Sequence, residues 1–194
     1  MTILDLHVHL KYRSRCSNLS AADLNAHLSK RFHGICLTDH WLLKHKQLNP
    51  FHSSLQVFYG VEIDCLLGDI LAYGIDTLPL RKRNLTAEYI IKFIHSKGGV
   101  AVCAHPFSNR HTGFGQYVYN YAFDAIEVNG SLDREHQKLA EEAAETMGLP
   151  TTGGSDAHSA RQLNTVGTQF DIEITSMDDI VKAIQDHQCS AILL

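Results

Sequence analysis

The two histidines of Asp5-Leu6-His7-Val8-His9 constrain what this chain can fold into more than any other stretch. The segment reads as a short, apolar-flanked strand. Side chains at i and i+2 of a strand point to the same side, so His7 and His9 can present two imidazole nitrogens to one metal ion. Four later stretches carry residue types that could complete such a site: Leu37-Thr38-Asp39-His40, Gly60-Val61-Glu62, Ala104-His105-Pro106 and Gly153-Gly154-Ser155-Asp156-Ala157-His158.

Bulk properties narrow the setting. A chain of 194 residues, 44% hydrophobic and 20% charged, favours one domain spanning 1–194 with a sizeable core. A formal charge of -4 provides no polycationic face, so strong nucleic-acid binding is not expected, although a local basic cluster could hold a small nucleotide. The five cysteines form no C-x-x-C pair. The N-terminus has no basic region followed by a long apolar segment, and no stretch reaches the roughly 18 apolar residues of a membrane span. A reduced, cytoplasmic protein with no membrane partner is the expectation. Histidine is abundant, 13 in all, but His27, His33, His45, His52, His95, His136 and His187 show no partner pattern and read as surface or ordinary packing.

Strand and helix signals alternate along the chain. After the first strand, Lys11, Arg13 and Arg15 lie in a polar segment, and Ser20 caps a helix carrying Ala21, Leu24, Leu28 and Phe32, which Gly34 stops. Strands are expected over residues 35–38, 56–63 and 70–75, with residues 41–54 irregular or a short helix. Thr86 caps a helix with Ile90, Ile91, Phe93 and Ile94 on one face, and a buried strand over 100–104 hands over to His105. A loop of about 17 residues then leads to a strand over 125–128; loops of that length are usually functional. Ser131 or Asp133 opens the longest helix, with Leu132, His136, Leu139, Ala140, Ala143, Ala144 and Met147 on one face until Gly148. A strand over 149–153, another over 165–170, a helix opened by Ser176 with Asp179 in a capping box, and a terminal strand over 190–194 complete the chain. About seven alternations predict an α/β fold with a largely parallel sheet, closed or nearly closed into a barrel. The candidate ligands fall at strand ends, the active-site rim of such a barrel. A doubly wound open sheet would want a glycine-rich phosphate loop after the first strand, and there is none.

The ligand types define the chemistry. Asp156-Ala157-His158 after two glycines gives two more same-side donors while letting the backbone come close. Glu62, flanked by Val61 and Ile63, is a carboxylate needing a cation or donors. Taken singly, Asp39 could cap a turn and His105 could be structural before Pro106; together, histidines and carboxylates at five strand ends point to metal. Imidazole and carboxylate without thiolate suit Zn, Mn or Fe, and a bridging Glu62 could hold two ions close enough to share a hydroxide. The chemistry is then hydrolysis. The basic residues after the first strand, with Arg110 and His111 in the long loop, are available to an anionic group such as phosphate.

In order, the motifs D-L-H-V-H, T-D-H, G-V-E-I, G-D-I-L-A-Y-G, A-H-P-F, I-E-V-N-G and G-S-D-A-H resemble the PHP (polymerase and histidinol phosphatase) family along nearly the whole chain. That resemblance implies a distorted (β/α)7 TIM-like barrel with two or three divalent ions at one face, hydrolysing phosphoesters. It implies His7, His9, Glu62 and Asp156 as ligands of a first metal, and Glu62, His105 and Asp69 for a second. Asp69 stands where family members commonly carry histidine. His40 and His158 match a third site, whose remaining ligand is not evident in residues 10–17, where Cys16 or water could substitute. Asp39, Glu127 and Asn129 would support the ligands or touch substrate.

The expected activity is hydrolysis of a small phosphomonoester or nucleotide by a metal-bridging hydroxide, with Glu62 central and His158 or His40 assisting proton transfer to the leaving oxygen. Two alternatives stand beside it. One is a catalytically silent PHP module that binds metal or nucleotide as a regulator. The other is an amidohydrolase-like C–N hydrolase, which would want a bridging lysine that no motif here supplies.

Overall fold

The computed structural model describes residues 1–43, 51, 52, 54–81, 83–109 and 112–194. Strands β1 (Thr2–Val8), β2 (Gly34–Leu37) and β3 (Gln56–Tyr59) run parallel in one sheet, with β9 (Val166–Phe170) and β10 (Cys189–Leu193) added antiparallel on the other side of β1. A second sheet has the order β4 (Val61–Asp64), β5 (Asp69–Tyr73), β6 (Val100–Cys103), β7 (Ala125–Asn129), β8 (Thr151–Gly154), antiparallel over its first three strands and parallel over the rest.

The α/β class is as expected; the continuous, largely parallel barrel is not. Two mixed five-stranded sheets take its place, and the described ladders do not close into one barrel. The reason lies at Gly60, inside the stretch that reads as one strand over 56–63. There the chain leaves the first sheet as β3 and enters the second as β4. A Cβ on Gly60 would come within 2.8 Å of the Tyr73 ring and 2.9 Å of the Ala72 carbonyl, so only glycine permits the crossing. The sheets meet at two seams, marked by single bridges between Val8 and Ala157 and between His40 and Glu62. Both seams fall on candidate ligands or their neighbours.

Among the described residues four α-helices cover the sheets. Helix α1 (Ala21–His27) starts in a capping box between Ser20 and Asp23. It ends well before Gly34: Asn164, remote in sequence, donates to the His27 carbonyl and accepts from Ser29 N–H, taking up the chain end while Leu28 turns extended. Thr86 caps α2 (Ala87–Ser96), whose Ile90, Ile91 and Ile94 are buried while Phe93 is half-buried. Asp133, not Ser131, caps α3 (Arg134–Met147), and Gly148 closes it at φ 65°. Its inner face carries Gln137 with Ala140, Ala143 and Ala144, while Leu139 faces solvent. Gln137 can be buried because its amide donates to the Asn129 and Leu132 carbonyls. Helix α4 (Met177–Gln185) opens with the expected Ser176–Asp179 box and packs Ile180, Ala183 and Ile184 into a core with Leu4, Leu6, Leu71, Tyr73 and Val102. The long loop before β7 carries a 3-10 turn, Gly115–Asn120. No helix of the described residues is long and apolar enough to cross a membrane.

Candidate metal centre

His7 and His9 are fully buried at the end of β1. His7 Nδ1 lies 2.8 Å from Glu127 Oε1, and because a carboxylate only accepts, that nitrogen carries the hydrogen, which in the neutral imidazole leaves the lone pair on Nε2. His9 Nδ1 lies 3.2 Å from the Ser14 hydroxyl, which itself donates to Asp39 Oδ1 at 2.7 Å. Ser14 therefore accepts from His9 Nδ1, and in the neutral ring the second Nε2 also keeps its lone pair. The two Nε2 atoms are 3.0 Å apart, with Glu62 Oε2 and Asp156 Oδ1 within 3.1 to 3.5 Å of both. Two imidazoles and two carboxylates converging in a dry space could hold a metal ion among them.

Glu62, on β4, joins this point to the rest of the cluster. Its Oε2 is 3.1 Å from His9, 3.2 Å from His40 Nδ1 and 3.4 Å from His7, while Oε1 is 3.2 Å from His105 Nε2. Oε2 is buried yet has no well-aligned hydrogen-bond donor. Among the described residues three donor groups have ligand atoms within 4.8 Å of one another: His7, His9 and Asp156; Glu62, Asp69 and His105; and His9, Cys16, His40 and His158.

Burial opposes charge on both strand histidines, but the facing acids outweigh it. Glu127, Asp156 and Glu62 hold His7 well above the usual imidazole range, and hydrogen bonds with Asp156 and Glu62 lift His9 to about 9. Burial would raise Glu62 and Asp156, yet the neighbouring imidazoles, His7 foremost, keep both below the ordinary carboxylate range. Asp69 goes the other way: burial and the Glu62 charge push it to about 7. His40 and His158, partly open to solvent, are lowered chiefly by burial.

A surrounding shell fixes these side chains. Glu127 accepts from His7 through Oε1 and from the His105 N–H and the Asn129 amide through Oε2. Glu127 and Asn129 are each 1% exposed and sit behind the candidate ligands. Asp39 likewise turns inward, accepting from Leu10 N–H, Ser14 and Arg13. That pairing occupies Arg13, which is buried against Asp39 and also donates to the Leu43 carbonyl, so it is not the free phosphate binder its position suggested. The Asp156 and His9 N–H groups donate to the His7 and Ala157 carbonyls, stitching the Asp156 loop to β1. A Cβ on Gly154 would lie 2.3 Å from His7 Cβ, and one on Gly153 would lie 2.2 Å from the Gly167 carbonyl; this is the close approach the paired glycines allow. His105 and Asp156 hold positive φ, 28° and 51°. Such strain persists only where surrounding structure over-determines it.

All eight candidate ligands, His7, His9, His40, Glu62, Asp69, His105, Asp156 and His158, lie in this one cluster, with Asp69 3.8 Å from His105. Arg110 and His111 lie outside the described residues. Two contributors were not among the candidate site residues. Ser14 sets the His9 tautomer, and Asp5 accepts from the His7 and Ser155 N–H groups, joining β1 to the Asp156 loop. An acid two residues before H-x-H was the available signal for Asp5; a lone serine in a polar loop offers none.

A family model described as PHP-associated matches residues 134–189, the stretch that includes Asp156 and His158. That match agrees with the PHP resemblance read from the motifs. The structure of PsfC from Pseudomonas syringae PB-5123 superposes with a TM-score of 0.76 at 19% identity, over 100% of this chain and 93% of that one. Endonuclease Q, solved with a 27-mer duplex carrying an abasic lesion at its active site, gives 0.63 at 16% identity over 95% of this chain and 57% of its own. An amidohydrolase from Chromobacterium violaceum, solved with sulfate and no metal, gives 0.63 at 14% identity over 93% and 96%. Uncharacterized protein MJ1587 of Methanocaldococcus jannaschii is 25% identical over 146 residues, 68% of this chain and 83% of that protein.

Proposed function

We propose that this PHP-type chain is a metal-dependent phosphoesterase acting on a small phosphomonoester or nucleotide. The observation that carries the reading is Glu62, a buried carboxylate whose two oxygens face four imidazoles from three separate segments. The donors fit divalent ions, since the lone pairs of His7 and His9 and the unmatched Glu62 Oε2 converge where a cation satisfies all of them. His7, His9, Glu62 and Asp156 would hold one ion, Glu62, His105 and Asp69 a second, and His40 with His158 a third, drawn from Zn, Mn or Fe. Such ions supply Lewis acidity toward a phosphoryl group and a nucleophile from water near neutral pH.

The chain's own residues do the rest. Glu127 and Ser14 keep both Nε2 atoms pointed inward, and His40 and His158, which reach solvent, are placed to pass a proton to a leaving oxygen. That an endonuclease shares the fold supports phosphoester chemistry; the formal charge of -4 favours a small substrate over a polyanion. Likeness to an amidohydrolase keeps C–N hydrolysis as the second reading, but Glu62 stands where that chemistry would want a bridging lysine. Metal analysis of untagged protein, followed by a phosphoester panel with added Mn and Zn, tests the proposal. At least one ion per chain and turnover abolished by Glu62→Ala are expected. Less than one ion per chain, or turnover that survives Glu62→Ala, rules it out.

A further inference from the structure

The third donor group differs in kind from the other two, because it includes a thiol. Cys16 lies with His9, His40 and His158, all four ligand atoms within 4.8 Å of one another, whereas the first two groups offer only imidazole and carboxylate. The rings of His40 and His158 stack on that of His9 from centroid distances of 4.8 and 4.4 Å, so the histidines of this group are already assembled. Cys16 is the one exposed cysteine of five. Its position is not that of a loose loop tip. The Asn18 and Leu19 N–H groups donate to the His158 carbonyl at 2.9 and 3.1 Å, the Ser17 hydroxyl donates to the His9 carbonyl at 2.8 Å, and Lys11 N–H closes the loop on the Leu19 carbonyl at 2.7 Å. The segment that carries the sulfur is thus tied to the backbones that carry two of the histidines.

We propose that Cys16, with His40 and His158, forms a thiolate–imidazole site for a soft divalent ion, zinc by preference, beside the carboxylate-bridged centre. The inference rests on the metal-centre reading and deepens it. Thiolate selects zinc and cobalt over magnesium and manganese, and cysteine–histidine sets are zinc's usual shell. Binding forms one sulfur–metal bond and releases the thiol proton to water, with no change of oxidation state. The segment over residues 10–17, which holds no acid or histidine, acquires its donor in this way.

The test uses the full chain, freed of metal by chelation and titrated with cobalt(II). A thiolate-to-cobalt charge-transfer band in the near ultraviolet is expected in the wild type. In Cys16→Ser that band is absent and the bound cobalt falls by one equivalent, with far-ultraviolet circular dichroism unchanged. Stoichiometric zinc should also slow alkylation of Cys16, followed by peptide mass spectrometry. A fully loaded wild type without the band, a band that persists in Cys16→Ser, or alkylation indifferent to zinc overturns the proposal. In those three cases cobalt bound at Glu62 can still be counted, so the wider metal reading survives; failure to bind any cobalt sinks both.

Discussion

His7 shows how one hydrogen bond decides what a residue can do. Without Glu127 its imidazole could place the proton on either nitrogen, and half of those arrangements would aim N–H at the cluster. Glu127→Gln keeps the size of the side chain but removes the charge that fixes the tautomer. Metal affinity, measured by competition with a chromophoric chelator, should fall by about 10- to 100-fold, the usual cost of losing such an outer partner. Unchanged affinity would mean that Glu127 only supports the His105 backbone and the Asn129 amide, its other contacts. The candidate ligands themselves were legible from residue types at strand ends. The roles of Asp39 and Arg13 were not: a basic residue in a polar loop looks available, and only the fold pairs it with a buried acid.

At the scale of elements, close approach and capping set the local geometry. Gly154 at the end of β8 lets β1 come within contact of the backbone, and Gly154→Ala drives a methyl group into His7. Overpacking of this kind costs about 1–3 kcal/mol. Because His7 must move to relieve it, the variant should also lose metal, read by urea unfolding and by metal analysis of the same sample. Helix α4 offers a pH-dependent check away from the cluster. Backbone and hydroxyl hydrogen bonds from Thr175 and Ser176 hold Asp179 at a pKa of about 2, below its ordinary 3.8. A depressed carboxylate contributes stability above its unfolded pKa and loses it as pH falls through the folded one. The Tm advantage of wild type over Asp179→Asn should therefore be full near neutrality and shrink between about pH 4 and pH 2. An advantage independent of pH over that window would contradict the capping assignment.

Across the whole molecule, the cluster depends on two sheets being held edge to edge. Tyr73, fully buried on β5 of one sheet, donates its hydroxyl to the Leu6 carbonyl of β1 in the other at 2.9 Å. Tyr73→Phe leaves that carbonyl without its partner in a dry interior, at a cost of about 1–3 kcal/mol. The loss should appear in equilibrium unfolding with an unchanged m-value. A variant as stable as wild type would show that the seams are held by packing and the backbone bridges alone.

Much of this was written in the one-dimensional pattern. Capping boxes at Ser20 and Ser176, the alternation of strand and helix, and the paired glycines before Asp156 depend on neighbours within a few residues, so local chemistry determines them. The ligand types carry their chemistry wherever they fall. The tertiary structure alone decided the rest. Gly60 breaks one apparent strand between two sheets because of the Tyr73 ring, and α1 stops early because Asn164 arrives from far along the chain. Cys16 meets His40 and His158 only once the loop after β1 is tied to the His158 backbone. Long-range contacts of this kind leave no period and no spacing in a sequence, because the partner's position is set by the fold.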